Sequence, residues 1–222
     1  MNSGRQNEVP PSDRVRLRRL PKRGSYQRDT IYSILDTGLV AHVAGNAPDG
    51  PIALPMAYGR IGDTLYVHGA ARNSLLTALA GQDCCLTVTH VDGLVMARSA
   101  FHHSMNYRSV VVRGATRVVD GDEKTEGLKA IVNHVAPRWD GSRPPTPTEM
   151  ELTTVLALEL TECSAKVRTG DPRDEASDMT GPWWAGVIPV TTVFGEPEDA
   201  SDLPPGRPVP TALRSLANRS LA

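Results

Sequence analysis

The stretch "FHHSMNYRSVVVRGATRVV", residues 101–119, sets two histidines, an asparagine, a tyrosine, an arginine and two serines directly before the β-branched run Val110-Val111-Val112. A run of that kind bounded by Gly114 reads as a buried strand, so the polar groups ahead of it are held by something rigid. If the strand has begun by Asn106, then Asn106, Arg108, Val110 and Val112 share one face, and Tyr107, Ser109, Val111 and Arg113 the other. Arg108 then lies in line with core valines, which is tolerable only at the rim of a sheet and beside an anion. Tyr107 and Arg108 are reachable groups and Ser109 is a hydroxyl donor. His102 and His103 read as a polar loop: neighbours on a strand point apart and no third ligand stands at useful spacing, so a zinc site is rejected.

A second cluster is "YVHGAARNSLL", residues 66–76. A strand ending at His68 and a helix starting near Ser74 would present unpaired N–H groups and a positive dipole end, with Arg72, Asn73 and Ser74 adding donors for a phosphate. The plainer alternative is an ordinary capped helix with a surface arginine, and a structural role for His68. Lys166 and Arg168 alternate, so in an extended segment they share a face and make a further basic patch. Trp183 or Trp184 could stack on a planar ring, with core burial expected for at least one. Together these groups describe a sheet rim suited to a flat ring carrying a phosphate. No separate second phosphate site stands out.

The elements that must position them are mostly strands. Residues 39–45, 51–60 and 64–70 form a meander joined by "NAPDG" and "IGD". Pro55 inside the second strand predicts an edge or a bulge. Residues 84–101 predict a hairpin turning at Asp92-Gly93. Further strands are expected over 152–160, 164–170 and 185–195. Helices are expected over 29–38 with Asp29 as N-cap, over 73–81, and over 122–135 with Leu128, Ile131, Val132 and Val135 on its apolar face. Residues 136–149 read as a loop, and "TALRSLANR" as a short helix. About eight strands without regular helix alternation argue for a mainly β protein, a closed antiparallel barrel with flanking helices. The chain divides into a flexible tail over 1–18, a barrel domain over 19–195 and a Pro-rich tail over 196–222.

Bulk properties narrow the function. Twenty-four Lys and Arg against 25 Asp and Glu give a net charge of -1, so polyanion binding is not expected. Seven basic groups nevertheless crowd into residues 14–28, a solvated arm or one facing an anionic ligand or a partner subunit. Three cysteines without metal-ligand spacing, and no apolar run near the ~20 residues of a membrane span, point to a cytoplasmic protein. Dinucleotide, Walker and nucleophile-elbow motifs do not occur.

The strings "LPKRGSYQRDTIYSILD", "LYVHGAARNSLL", "DGLVMARSAFHHSMNYRSVVVRGATRV", "SAKVRTG" and "WWAGVIPV" resemble, in that order, the flavin-nucleotide-binding branch of the pyridoxamine 5'-phosphate oxidase-like superfamily, which includes nitroimidazole-resistance proteins. The similarity runs from about Arg19 to about Val193. It implies an FMN-binding split β-barrel of Greek-key type, with the flavin at a homodimer interface and a small-molecule substrate. Pro55, Met56 and Ala57 would approach the isoalloxazine by backbone. His68, Ser74, Tyr107, Arg108 and Ser109 match positions lining the flavin and its phosphate; Lys166 and Trp184 match family strings of less defined role. The resemblance fixes no reaction. It suggests an FMN-dependent oxidoreductase of small aromatic or nitro compounds, with His68 and Tyr107 as proton donors. The alternatives are a non-catalytic flavin sensor or carrier, or a deazaflavin or haem protein with His42, His68, His102 or His103 as axial ligand.

Overall fold

Strand β7, Ser104–Val118, is long enough to serve two partners in succession. Its first half pairs with β9, Glu162–Arg168, and its end with β8, Thr153–Glu159, the two partners being consecutive in the chain. That switch splits the sheet. The computed structural model describes residues 9–221, and among them ten strands form one antiparallel sheet in the order β3-β2-β6-β7-β8-β5-β4. Here β2 is Ala41–Ala47, β3 Gly50–Met56, β4 Tyr58–Ile61, β5 Thr64–Ala70 and β6 Asp83–Met96. The short β1, Gly24–Ser25, extends β9, and β10, Gly186–Pro189, pairs with the end of β6.

The barrel is split rather than closed as expected, because β3 and β4 end the order without hydrogen-bonding each other. Pro55 lies on the edge strand β3, the expected place for a proline within a sheet. The hairpin expected at Asp92-Gly93 is absent. β6 runs through as one strand with a bulge between Val91 and Gly93, and the chain reverses only before Ser104.

Helix α1, Arg28–Thr37, has Gln27 rather than the expected Asp29 at its N-cap, which places Asp29 in the first turn. It buries Ile31, Ile34 and Leu35 against the inner sheet face, joining Val43, Leu86, Val88, Val110 and Val112. Helix α2, Ser74–Leu79, adds Leu75, Leu76 and Leu79 to that core. A second cluster forms where α3, Gly121–Val135, packs Leu128 and Ile131 on Tyr66, Val155 and Ala157. Val135, expected on the apolar face, is 46% exposed because it ends the helix. The expected 136–149 loop continues into a short helix, α4, Pro147–Glu151, begun by a capping box of Thr146 and Glu149. The last helix is α5, Thr211–Arg214.

Neither end is a free tail where it is described. Residues 1–8 of the expected N-terminal tail lie outside the described residues. Val15 is buried, and Arg14 pairs with Asp83 and, at 2.9 Å, with Glu162. At the other end Val193 bridges Ser220, and Leu221 N–H donates to Thr192 O at 3.0 Å.

Candidate functional site

Alternation along β6 and β7 sends Leu86, Val88, Val110 and Val112 into the core and leaves Thr87, Thr89, Val91, Tyr107, Ser109 and Val111 on the opposite face. The register sets Thr89, Ser109 and Lys166 in one row, and Pro55, His42, Thr87 and Val111 in another. His42, Pro55, Thr89 and Val91 are exposed. The result is an open, mixed polar and apolar sheet face.

At its rim lies a cavity of about 690 Å³. Its walls are Thr37–Val40 after α1, the β6 segment Thr89–Asp92, Arg108, Val190–Thr192 and the returning Ser220–Leu221, with His42 at the border. Arg108 does lie in line with the valines, and the required anion is Asp92: Arg108 Nη2 donates to Asp92 Oδ1 at 2.9 Å and Nε to Oδ2 at 3.1 Å. The bulge that displaced the expected turn is what aims Asp92 at Arg108. His90 Nε2–H donates to Ile34 O at 3.0 Å, tying the bulged strand to α1.

The residues singled out in the sequence are only partly gathered here. Tyr107, Ser109, Lys166 and Pro55 share the open face, and Arg108 enters the cavity. Ser109 Oγ–H donates to Lys166 O at 3.4 Å, and Lys166 Nζ donates to Arg19 O at 3.2 Å, so this lysine anchors the N-terminal arm. Met56 and Ala57 are half-buried against the two core clusters. Arg72, Asn73 and Ser74 line neither large cavity. The Asn73 side chain already accepts Leu76 N–H at 3.1 Å, and α2 has six residues, less than two turns, so the plainer capped-helix reading fits the geometry. Trp183 and Trp184 are both exposed, at 59% and 65%, contrary to the expected burial of one. The Trp184 ring lies over Gly186, where no side chain opposes it.

His68 and Tyr107 do not meet within one chain. His68 pairs with Val155, beside the Leu156–Val118 pair at the end of β7, whereas Tyr107 is near its start. At ~3.3 Å per residue the offset is on the order of 35 Å of strand. His68 Nδ1 is buried without a hydrogen-bond partner among the described residues, and burial depresses its pKa below the ordinary 6.5. An unfolded chain therefore binds a proton here more readily than the folded one. Stability is expected to fall as pH drops from the unfolded value near 6.5 towards the lower folded value, and to level off below it. Thermal melts of His68→Gln and the parent between pH 8 and pH 5 check this; equal slopes would refute it.

The two consecutive histidines diverge as expected. His103 Nδ1 accepts Ala97 N–H at 2.9 Å, while His102 stands with Asp174 and Asp178, their ligand atoms within 4.8 Å of one another. Asp174 is engaged there by Arg98, whose Nη1 donates at 3.0 Å, and accepts the Arg98 N–H at 2.9 Å.

Asp92, His90, the Thr37–Val40 segment and the returning C-terminus were missed as site residues. A signal for Asp92 existed: the apolar alternation over Cys84–Val88 resumes beyond Gly93, which a bulge allows and a two-residue turn does not require.

The family model described as pyridoxamine 5'-phosphate oxidase matches residues 27–167. Flavocytochrome Anf3 from Azotobacter vinelandii is 37% identical, with a TM-score of 0.89, the match covering 94% of this chain and 99% of that one. A FAD and heme binding protein from Mycobacterium smegmatis is 36% identical, with a TM-score of 0.85, covering 90% and 98%. A protein described as a 5-nitroimidazole antibiotic resistance protein from Bacteroides thetaiotaomicron is 21% identical, with a TM-score of 0.56, covering 65% and 86%, which shows the fold alone. No curated protein matches the chain. No helix among the described residues is long and apolar enough to cross a membrane.

Proposed function

The chain belongs to the pyridoxamine 5'-phosphate oxidase family, and we propose that it is a flavin-nucleotide-binding redox protein, working as a homodimer, that also holds a haem. The observation carrying this reading is near-full-length similarity, at 37% and 36% identity, to a flavocytochrome and to a FAD and heme binding protein. The likeness to a flavocytochrome supports reading the haem as a companion of the flavin rather than its rival.

The residues present fit both groups. For the flavin, the open face offers Val91 as apolar surface, Thr89 and Ser109 as hydroxyls and the Tyr107 phenol, with the Arg108 cation at the adjoining rim. For the haem, His68 is the candidate ligand, since burial favours its neutral imidazole, the form that ligates iron, and its Nδ1 has no hydrogen-bond partner among the described residues. When bound, the flavin would supply hydride and electron transfer and the haem one-electron transfer. Tyr107 would hold a proton at its phenol oxygen beside the substrate. The exposed Val91 on the open sheet face is apolar surface that a second copy would cover in the homodimer. FMN follows from the family resemblance and FAD from the likeness to the mycobacterial FAD and heme binding protein, so mass decides between them. Small aromatic or nitro compounds are the substrates to screen first, with turnover under a reductant as the measure.

The test is a visible spectrum of protein purified without added cofactor, followed by heat release and mass identification. An oxidised-flavin spectrum with a Soret band is expected, the Soret band being lost in His68→Ala while the flavin stays. Sedimentation should give a dimer, and Val91→Arg on the open face should shift it to monomer and weaken flavin binding at least tenfold, roughly 1.4 kcal/mol. Colourless protein that takes up neither FMN, FAD nor haem on titration would overturn the reading.

A further inference from the structure

A second cavity, of about 470 Å³, opens between the N-terminal arm and the end of β9. Its lining includes Lys22 and Arg23 from the arm, Arg168 and Arg173 from β9 and the loop after it, and Asp171 as the acid. Four cations therefore face one carboxylate in a chain whose overall charge is -1. The arm is held in place: Gly24 pairs with Lys166 in the β1–β9 ladder, and Lys166 Nζ reaches Arg19 O. Leu20 sits in the left-handed region at φ 54°, a conformation costly for a leucine, to start the turn that presents Lys22 and Arg23.

Arg168 is the informative group. It is 6% exposed, and its contacts are neutral: Nη1 donates to Asn106 Oδ1 and, at 3.2 Å, to Gly170 O, and Nη2 donates to Asp171 O at 3.3 Å. Its Nε is buried with no hydrogen-bond partner among the described residues. No ion pair among the described residues includes it. Burial, and then the like charges of Arg23 and Arg173, hold its pKa below the usual guanidinium value. A buried guanidinium facing other cations, with a donor unused, is unfavourable until an anion supplies the missing charge and acceptors. A phosphate offers both, and the planar guanidinium fork suits it.

We propose that this cavity is a phosphate subsite, built by Arg23, Arg168 and Arg173, which takes the phosphate of a nucleotide-like ligand. It adds to the Tyr107–Ser109 stretch the separate phosphate site that was not visible in the sequence, and it does not rest on the flavin reading. The phosphate has two chemical sources: the phosphates of a flavin nucleotide bound on the neighbouring sheet face, or a separate phosphorylated ligand such as a nicotinamide dinucleotide electron donor.

Titration of the full chain with inorganic phosphate at low ionic strength, followed by calorimetry, tests this. Saturable binding is expected, weakened at least tenfold in the double variant Arg23→Glu/Arg173→Glu. Neither side chain makes a hydrogen bond or ion pair among the described residues, and replacing both leaves Arg168's own contacts untouched; a melt within a few degrees of the parent confirms that the variant folds. Failure of the parent to bind phosphate, or equal binding by a folded variant, would overturn the proposal. If prior loading with FMN or FAD abolishes phosphate binding, the flavin is the source. If phosphate still binds the flavin-loaded protein and a phosphorylated nicotinamide dinucleotide displaces it, the site serves a second ligand. Phosphate binding in a protein that takes up no flavin would sink the flavin reading while upholding the subsite.

Discussion

Tyr58→Ala is expected to cost about 3–5 kcal/mol, the range for emptying a large buried aromatic site, and to lower the melting temperature by roughly 10 °C. Tyr58 has no exposed surface, and its hydroxyl does two jobs at the end of α1. It donates to Leu35 O and lies 3.1 Å from Gly38 O, while His134, whose ring is 4.5 Å from that of Tyr58, reaches the same Gly38 carbonyl from α3. Burial raises the phenol pKa, so it remains a donor throughout the neutral range. These contacts hold the Thr37–Val40 wall of the larger cavity. Tyr58→Phe keeps the ring and removes only the donor, so a loss of about 1–2 kcal/mol is expected, with weaker ligand binding in that cavity than the stability loss alone would suggest. Chemical denaturation of both variants measures the pair. Equal losses would mean that the hydroxyl, and not ring packing, dominates.

Gly59→Ala is expected to destabilise by about 3 kcal/mol, the upper end for overpacking. A methyl there would stand 2.4 Å from Ala130 C and Ile131 N and 2.7 Å from Ala130 O. All three are backbone atoms of α3, so no side chain can swing aside, and the helix as a whole must retreat from β4. Gly62→Ala is the contrast: nothing lies within 4 Å of its added methyl, and the cost is the strained φ of +56°, about 1–2 kcal/mol. A thermal melt ranking Gly62→Ala as the more damaging would show that α3 does not press on β4 as closely as its position implies.

Local pattern was enough for most strands, because residues alternating between core and surface carry their period in the chain itself. β5 was read to its limits, Thr64–Ala70, and the face of Val110 and Val112 with Arg108 in line was legible before any fold was known. So was the need for an anion near Arg108, which follows from the cost of burying a charge. Its identity was not, because Asp92 resembles a turn residue locally and becomes a bulge only when β6 pairs on to Met96. The capping box that begins α4 was also present as Thr146 and Glu149, but the surrounding prolines masked it.

The sequence by itself determined where most strand segments lie, which faces are apolar, and that one polar cluster abuts a buried strand, since these depend on neighbours within a few residues; that residues 51–60 divide into β3 and β4 at opposite ends of the sheet order was not legible. Only the tertiary structure decided which of those clusters share a site. It separated His68 from Tyr107, placed the C-terminal Ser220–Leu221 on a cavity wall, and set Arg23 across from Arg168. Each of these is a pairing between segments distant in the chain, set by strand register and by the partner switch along β7 rather than by local periodicity.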